Sequence, residues 1–391
     1  MKTNALLGSL ALLLLLQCGD KEKTQAIPIP TPTPPKTPPS TTLRQLAPFP
    51  IGAAVNINLL KTRPAYLNVV KTEYNSVTAE NAMKFGALHP SEAVYNWTDA
   101  DYLVDFAQQN NARVHGHTLI WYKSLPGWVT SYQDSTATWE NLMKTHIQTV
   151  VTHFKGKVAA WDVVNEAFED DGQLRNSIWR QKLGDDYIAR AFEYAHQANP
   201  AALLFYNDYG HEYSTTKRTA ILSLVNSLKT RGVPIHGIGL QMHTSSNISN
   251  SNLATAITTA AQTGLKVHLA ELDIAMNRDA LTTATFTPAL AAAQKDKYRA
   301  VVQAFKALPA AQRYGITTWN VGDADTWVRG YCSCPDWPLP FDENYQRKPA
   351  YDGIVEALQS TSTSAGLREA RASMFTWRPR ATLGNGKAAF Q

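Results

Sequence analysis

From Ile51 onward, short apolar or β-branched runs alternate with longer stretches in which apolar residues return every three or four positions. That is the rhythm of repeated strand–helix units. The strand-like runs are Ile51–Val55, Ser76–Thr78, Arg113–His115, Val158–Val164, Leu203–Tyr206, Gly237–Leu240, Val267–Ala270 and Gly315–Thr318. Amphipathic stretches lie between them: Asp101–Asn110, Trp139–Phe154, Asp186–Gln197, Thr216–Lys229, Asn252–Thr263 and Lys295–Leu308, with Tyr351–Leu358 closing the last unit. Eight such units predict an α/β fold, a (β/α)8 TIM barrel forming a single domain over residues 46–358. A doubly wound open sheet has the same local pattern, and only the strand count favours closure. Residues 359–391 carry Ser, Thr, Ala and scattered Arg without a period, and read as a disordered tail.

The segment before the first strand predicts export. Lys2 precedes an apolar run from Ala5 to Leu16, too short to span a bilayer of roughly 30 Å but suited to a signal-peptide core. Cys18, directly after Leu15, Leu16 and Gln17, resembles a bacterial lipoprotein cleavage site, with Gln17 where a small residue is usual. Residues 1–18 are therefore expected to be a signal peptide with Cys18 as lipidation site, simple cleavage being the alternative. Residues 19–45, dense in Pro and Thr between Ile27 and Thr41, predict an extended polyproline linker. The protein is expected to be secreted or held at a bacterial surface by an N-terminal lipid, and to be a monomer.

The apolar fraction of 44% supplies a large core, and a charge of +5 with no dense Lys/Arg block points away from a nucleic-acid partner. Cys332 and Cys334, with only Ser333 between them, are expected as free thiols in a surface loop, because a bridge would close a very tight turn.

In a barrel of this kind the chemistry gathers where strands end. The strand ends here run into Glu80, Asn81 and Lys84; His115, His117 and Trp121; Asn165 and Glu166; Asn207, Asp208 and Tyr209; Gln241 and His243; Glu271 and Asp273; and Trp319, with Trp327 following. Amides, carboxylates and Lys beside Trp and Tyr suit a sugar, which offers hydroxyls and weakly apolar ring faces. Glu166 and Glu271 each follow an apolar strand directly, and glycoside hydrolysis needs such a carboxyl pair. A lone Glu at a strand end is otherwise a cap or a salt-bridge partner. Asp162 and Asp273 are expected to turn away from the lumen by strand alternation.

The strings ENAMKF at Glu80–Phe85, HGHTLIW at His115–Trp121, WDVVNEAF at Trp161–Phe168, GIGLQMH at Gly237–His243 and AELDI at Ala270–Ile274 resemble those of glycoside hydrolase family ten, the endo-β-1,4-xylanases. The resemblance runs from about Ile51 to Leu358. It implies a (β/α)8 barrel acting on xylan and xylo-oligosaccharides without metal or cofactor, by a retaining double displacement with Glu166 as acid/base and Glu271 as nucleophile. It places Glu80, Asn81 and Lys84 on the non-reducing-side sugars, and Trp121, Asn165, Gln241, Trp319 and Trp327 around the sugar being cleaved. His243 would orient the nucleophile, His117 would line the same sugar site, and Tyr209 would face the leaving group. The tryptophans Trp319 and Trp327 would fill the space of the hydroxymethyl arm that glucose has and xylose lacks. Phe85 stands where the family often has Trp, Asn320 and Thr326 replace the usual Gly and Ser, and the loop Tyr331–Pro338 has no counterpart in the pattern.

A barrel hydrolase acting on β-1,4-glucan is the alternative enzyme, and a non-catalytic xylan-binding surface lipoprotein is the alternative outside catalysis. The remaining histidines His89, His146, His153, His196 and His211 read as surface or core residues. Trp97, Trp128, Trp139, Trp161, Trp179 and Trp337 are expected to pack.

Overall fold

The computed structural model describes residues 41–360. The expected signal peptide, most of the linker, Cys18 and nearly all of the tail lie outside them. The strands are β1 (Ile51–Val55), β2 (Ser76–Ala79), β3 (Arg113–Ile120), β4 (Ala160–Asn165), β5 (Leu203–Asp208), β6 (Gly237–Leu240), β7 (Lys266–Ala275) and β8 (Arg313–Thr318). All are parallel. Each pairs with the next, and β8 pairs with β1 through Ile51↔Ile316, Gly52↔Thr317 and Ala53↔Thr318. The last pairing leaves no edge and decides for the closed (β/α)8 barrel over an open sheet. A short strand, His243–Ser245, runs beside the end of β7 through His243↔Asp273.

The strands are apolar because both of their faces are covered, as parallel sheets require. Every residue of β1 is buried. Ala160, Phe205 and Tyr314 pack together, and Trp161 lies fully buried, its ring 5.9 Å from that of Phe154. Gly116 makes that packing possible: a Cβ there would stand 2.2 Å from the Trp161 ring. Ser or Thr side chains cap the long crossover helices, with Ser135, Ser214, Ser249 and Thr287 each accepting a backbone N–H of the first turn.

The domain starts earlier than the expected boundary at residue 46. Leu43–Leu46 is a helix opened by a capping box between Thr42 and Gln45. Leu43 is buried, and its N–H donates to Glu73 Oε2 at 3.0 Å. Tyr351 donates its hydroxyl to the same oxygen at 2.9 Å, and Arg347 pairs with Oε1 at 2.6 Å. Glu73 thus ties the first helix to the last, Pro349–Gln359. The proline-rich segment hides this start because its composition runs to within a residue of the cap.

Cys332 and Cys334 form a disulfide with Cα atoms 5.2 Å apart, against the expectation of free thiols. Ser333 between them adopts left-handed backbone, φ 53°. This conformation brings the cysteines within the usual range of about 4.4 to 6.8 Å.

Candidate active site

Strand ends on one face of the barrel open into a cleft of about 600 Å³. It is lined by Glu166 and Glu271 and by all of the expected sugar-contacting residues: Glu80, Asn81, Lys84, His117, Trp121, Asn165, Tyr209, Gln241, His243, Trp319 and Trp327. Tyr122, Lys123, Asp170, Tyr213 and Tyr331 line it too. They follow strand ends in the chain, but nothing in their local pattern separates them from ordinary loop residues.

Glu166 and Glu271 are both nearly buried, and they are held differently. Glu166 leaves the end of β4 in left-handed backbone, φ 56°, a sparsely populated conformation for a side-chain-bearing residue that recurs at functional sites. Asn165 Nδ2 donates to its Oε1 at 3.2 Å and Gln241 Nε2 at 3.0 Å. Among the described residues no hydrogen bond goes to its other oxygen. Arg175 steadies the turn by donating Nε to the Glu166 carbonyl at 3.0 Å, and it also donates to the Tyr209 hydroxyl at 3.2 Å.

Glu271, by contrast, is clamped on both oxygens. Asn207 Nδ2 donates to Oε1 at 2.7 Å, and His243 Nε2 stands 3.1 Å from Oε2. Burial pushes the Glu271 carboxyl up, but the His243 hydrogen bond, the nearby His117 and the Asn207 amide outweigh it and hold it below the ordinary glutamate value. Burial likewise disfavours the His243 cation, yet Asp273 and Glu271 raise its pKa well above the usual one. Asp273 Oδ2 lies 2.8 Å from His243 Nδ1 and accepts Trp327 Nε1 at 2.7 Å.

Asp162 and Asp273 do not turn away. Asp162 Oδ1 is 3.0 Å from His115 Nε2 and its Oδ2 is 2.9 Å from His117 Nδ1. Burial acts to raise Asp162, and those two histidines overcome it and hold the carboxyl well below its ordinary range. Alternation holds for Asp273, two positions from Glu271 and so on its face, but it breaks in β4, where the register shifts between Asp162 and Val164 and lets Asp162 and Asn165, three positions apart, both reach the lumen.

Asn207, near the end of β5, counts among the strand-end residues in the sequence, but nothing there assigned it a role. Its amide joins the two halves of the site, since Nδ2 reaches both Glu271 Oε1 and Asn165 Oδ1, the latter at 2.9 Å. Its position at a strand end before Asp208 was the available signal.

The remaining groups form a sugar-shaped lining. Lys84 donates to Asn81 Oδ1 at 2.9 Å and lies over the rings of Trp121 and Trp319 at 5.2 and 5.7 Å. Burial lowers its pKa, opposed by Glu271, Glu80 and Glu166. Asn56 donates to Glu80 Oε2 at 3.2 Å. Asn320, which departs from the family's Gly, occupies left-handed backbone at φ 79° and accepts the Trp327 N–H on Oδ1 at 3.2 Å. It supplies the glycine-like turn and a bond besides. Phe85 is buried away from the cleft, stacked on His146 at 3.7 Å. Among the described residues no cluster of His, Cys, Asp or Glu has the makings of a metal site.

The chain is similar to known proteins over most of its length. The chain is 39% identical to endo-1,4-beta-xylanase A of Cellvibrio japonicus over 348 residues, covering 81% of this chain and 56% of that protein. The chain thus spans little more than half the length of that relative. The crystal structure of native xylanase 10B from Thermotoga maritima superposes with a TM-score of 0.77 at 36% identity, covering 82% of this chain and 98% of that one. A mutant xylanase 10C from Cellvibrio japonicus in complex with xylopentaose gives a TM-score of 0.77 at 38% identity, covering 81% and 69%. The model of the glycosyl hydrolase family 10 domain matches residues 42–357, from the cap of the first helix to the last turn of the final one. The chain belongs to glycosyl hydrolase family 10.

Proposed function

We propose that the protein is an endo-1,4-β-xylanase that cleaves xylan with retention of configuration, Glu166 acting as acid/base and Glu271 as nucleophile. The observation that carries the reading is the unequal setting of the two carboxylates. Glu271 is held ionised by donors on both oxygens, as an attacking group must be. Glu166 has one oxygen bonded by amides and the other without a protein partner among the described residues, suited to passing a proton. In the first step Glu166 protonates the glycosidic oxygen, the C–O bond breaks, and Glu271 bonds to the anomeric carbon. In the second, Glu166 takes a proton from water, whose oxygen displaces Glu271 and restores both groups. Asn165 beside Glu166 is placed to bond the sugar hydroxyl next to the reacting carbon.

Trp319 and Trp327 line the cleft, and by the family resemblance their bulk would take the room that a hydroxymethyl arm needs, which favours xylose over glucose. Reducing-sugar release from xylan, carboxymethylcellulose and mixed-linkage β-glucan in parallel tests the substrate. Xylan should be cleaved far faster; preference for either glucan transfers the enzyme to the alternative class, and release from none favours a binding protein.

The proposal extends to location. The charged start, apolar run, Cys18 and proline-rich segment support export of a monomeric enzyme, lipid-anchored and held off the membrane by its tether. Cys18→Ala should move activity from the membrane to the soluble fraction. A wild type already soluble, with a mature N-terminus other than residue 18, refutes the anchor.

A further inference from the structure

Tyr331 is the most exposed large hydrophobic side chain among the described residues, 80% accessible, and it belongs to the rim of the carboxylate cleft. An aromatic ring left in water at the edge of a polar cleft forgoes the burial that usually rewards it. It is also well fixed. Its ring lies 5.3 Å from that of Trp327, which stands 4.7 Å from His243 and is bonded to Asp273. Its backbone N–H donates to the Trp327 carbonyl at 3.1 Å, the first bond of the short helix Val328–Cys332.

The next residue, Cys332, is bridged to Cys334, so the chain directly after Tyr331 is locked into one turn. Beyond the bridge, Asp336 accepts the N–H groups of Met276 and Asn277 at 2.8 and 3.0 Å, while its carbonyl accepts Arg329 Nε at 2.8 Å. The loop is thereby pinned to the segment following β7 on one side and to its own helix on the other.

We infer that Tyr331 is an added sugar-binding platform, which stacks on a xylose ring beyond the one being cleaved and is held in place by the Cys332–Cys334 bridge. This rests on the xylanase reading above and deepens it. Tyrosine suits the task because its face is apolar, its hydroxyl can stay wet, and little side-chain entropy is lost on binding. The bridge is a positioning device with no chemical step.

The test uses the full chain with Tyr331→Ala, Tyr331→Phe and the double substitution Cys332→Ser with Cys334→Ser. Each is assayed on xylohexaose and on an aryl xylobioside, and xylohexaose binding is followed by calorimetry with each substitution placed in a Glu271→Ala background that leaves the ligand uncut. Tyr331→Ala should raise KM and Kd for xylohexaose by about threefold to tenfold, the range expected of one aromatic contact, with kcat and the aryl substrate unchanged. Tyr331→Phe should restore binding, and the cysteine double variant should weaken it part-way with the same split between KM and kcat. Unchanged xylohexaose binding in Tyr331→Ala overturns the platform, as does an equal loss on both substrates. Wild-type binding in the double variant overturns the role of the bridge. If wild type binds xylohexaose but hydrolyses nothing, the xylanase reading fails, and the binding comparison still decides on Tyr331.

Discussion

Asn207 and Glu271 are joined by the shortest amide-to-carboxylate bond in the cleft, Nδ2 to Oε1 at 2.7 Å, and the same nitrogen reaches Asn165. One amide therefore sets the position of Glu271 relative to Asn165, the residue beside Glu166. A hydrogen bond to a charged group contributes about 1.5 to 3 kcal/mol. Asn207→Ala should accordingly lower kcat/KM on xylan by about tenfold to a hundredfold while thermal unfolding shifts little. An unchanged rate would show that His243 alone positions Glu271.

On the mechanism proposed above, the depressed pKa of Glu271 should set the acid side of the rate profile. Burial opposes ionisation, and the hydrogen bond from His243 is the largest effect favouring it. Because the folded value lies below the unfolded one, the carboxylate's contribution to stability is present above the ordinary glutamate pKa. It is lost as pH falls through the folded value. His243→Ala should move the acid limb of kcat/KM to higher pH, as followed with an uncharged aryl xylobioside. A limb that stays in place means another group controls it.

The barrel was legible because most strands are short apolar runs walled by polar turns. β7 extends to Ala275, well past the apolar run Val267–Ala270, because Glu271 and Asp273 continue the ladder as cleft-facing polar residues. Such polarity looks like a strand's end in sequence. Most of the expected cleft residues sit in the five motif strings and Tyr209, Trp319 and Trp327 at or after strand ends, whereas Asn207 was given no role, since its importance lies in a contact spanning 64 positions of chain. The bridge was misread because the left-handed turn at Ser333 has no signature in a residue type that rarely adopts it.

Lys217 and Asp208 form an ion pair at 3.0 Å with neither side chain exposed, and the Lys217 ammonium lies 3.0 Å from the centre of the Tyr209 ring. Burial raises the Asp208 carboxyl to about 6, although Lys217 and the Tyr206 hydroxyl pull it down. A folded value above the unfolded one means Asp208 favours folding below about pH 4, with that contribution lost as pH rises through about 6. Lys217→Met leaves the carboxylate unpaired and should destabilise by about 3 to 5 kcal/mol at pH 8. The loss should be smaller at pH 5, where Asp208 accepts a proton. Urea unfolding at the two pH values measures the difference, and equal losses would mean the pair is not coupled as described.

Glu166 and Glu271 should separate by leaving group, because only a poor leaving group needs a proton. Glu166→Ala should still be glycosylated by an aryl xylobioside whose phenol is already acidic, yet lose about 10² to 10⁴ of its rate on xylan. Azide, which needs no base, should then speed turnover of the aryl substrate. Equal losses on both substrates by a folded variant would remove Glu166 from the acid/base role.

Stereochemistry tests the nucleophile independently. An inverting enzyme keeps about 6.5 to 9.5 Å between its carboxyl groups to seat a water, whereas a retaining one closes to about 5 to 5.5 Å. Here Glu166 and Glu271 belong to one amide network, in which Asn165 and Gln241 bond Glu166, Asn207 bonds Glu271, and Asn165 accepts from both Asn207 and Gln241. Glu271, with a donor on each oxygen, is braced for attack on carbon. Hydrolysis should therefore pass through a xylosyl-enzyme on Glu271 and release the β-anomer first. Proton NMR during the opening minutes, before mutarotation, reads the product directly. An initial α-anomer would establish inversion and take the nucleophile role from Glu271, even with xylan confirmed as the substrate.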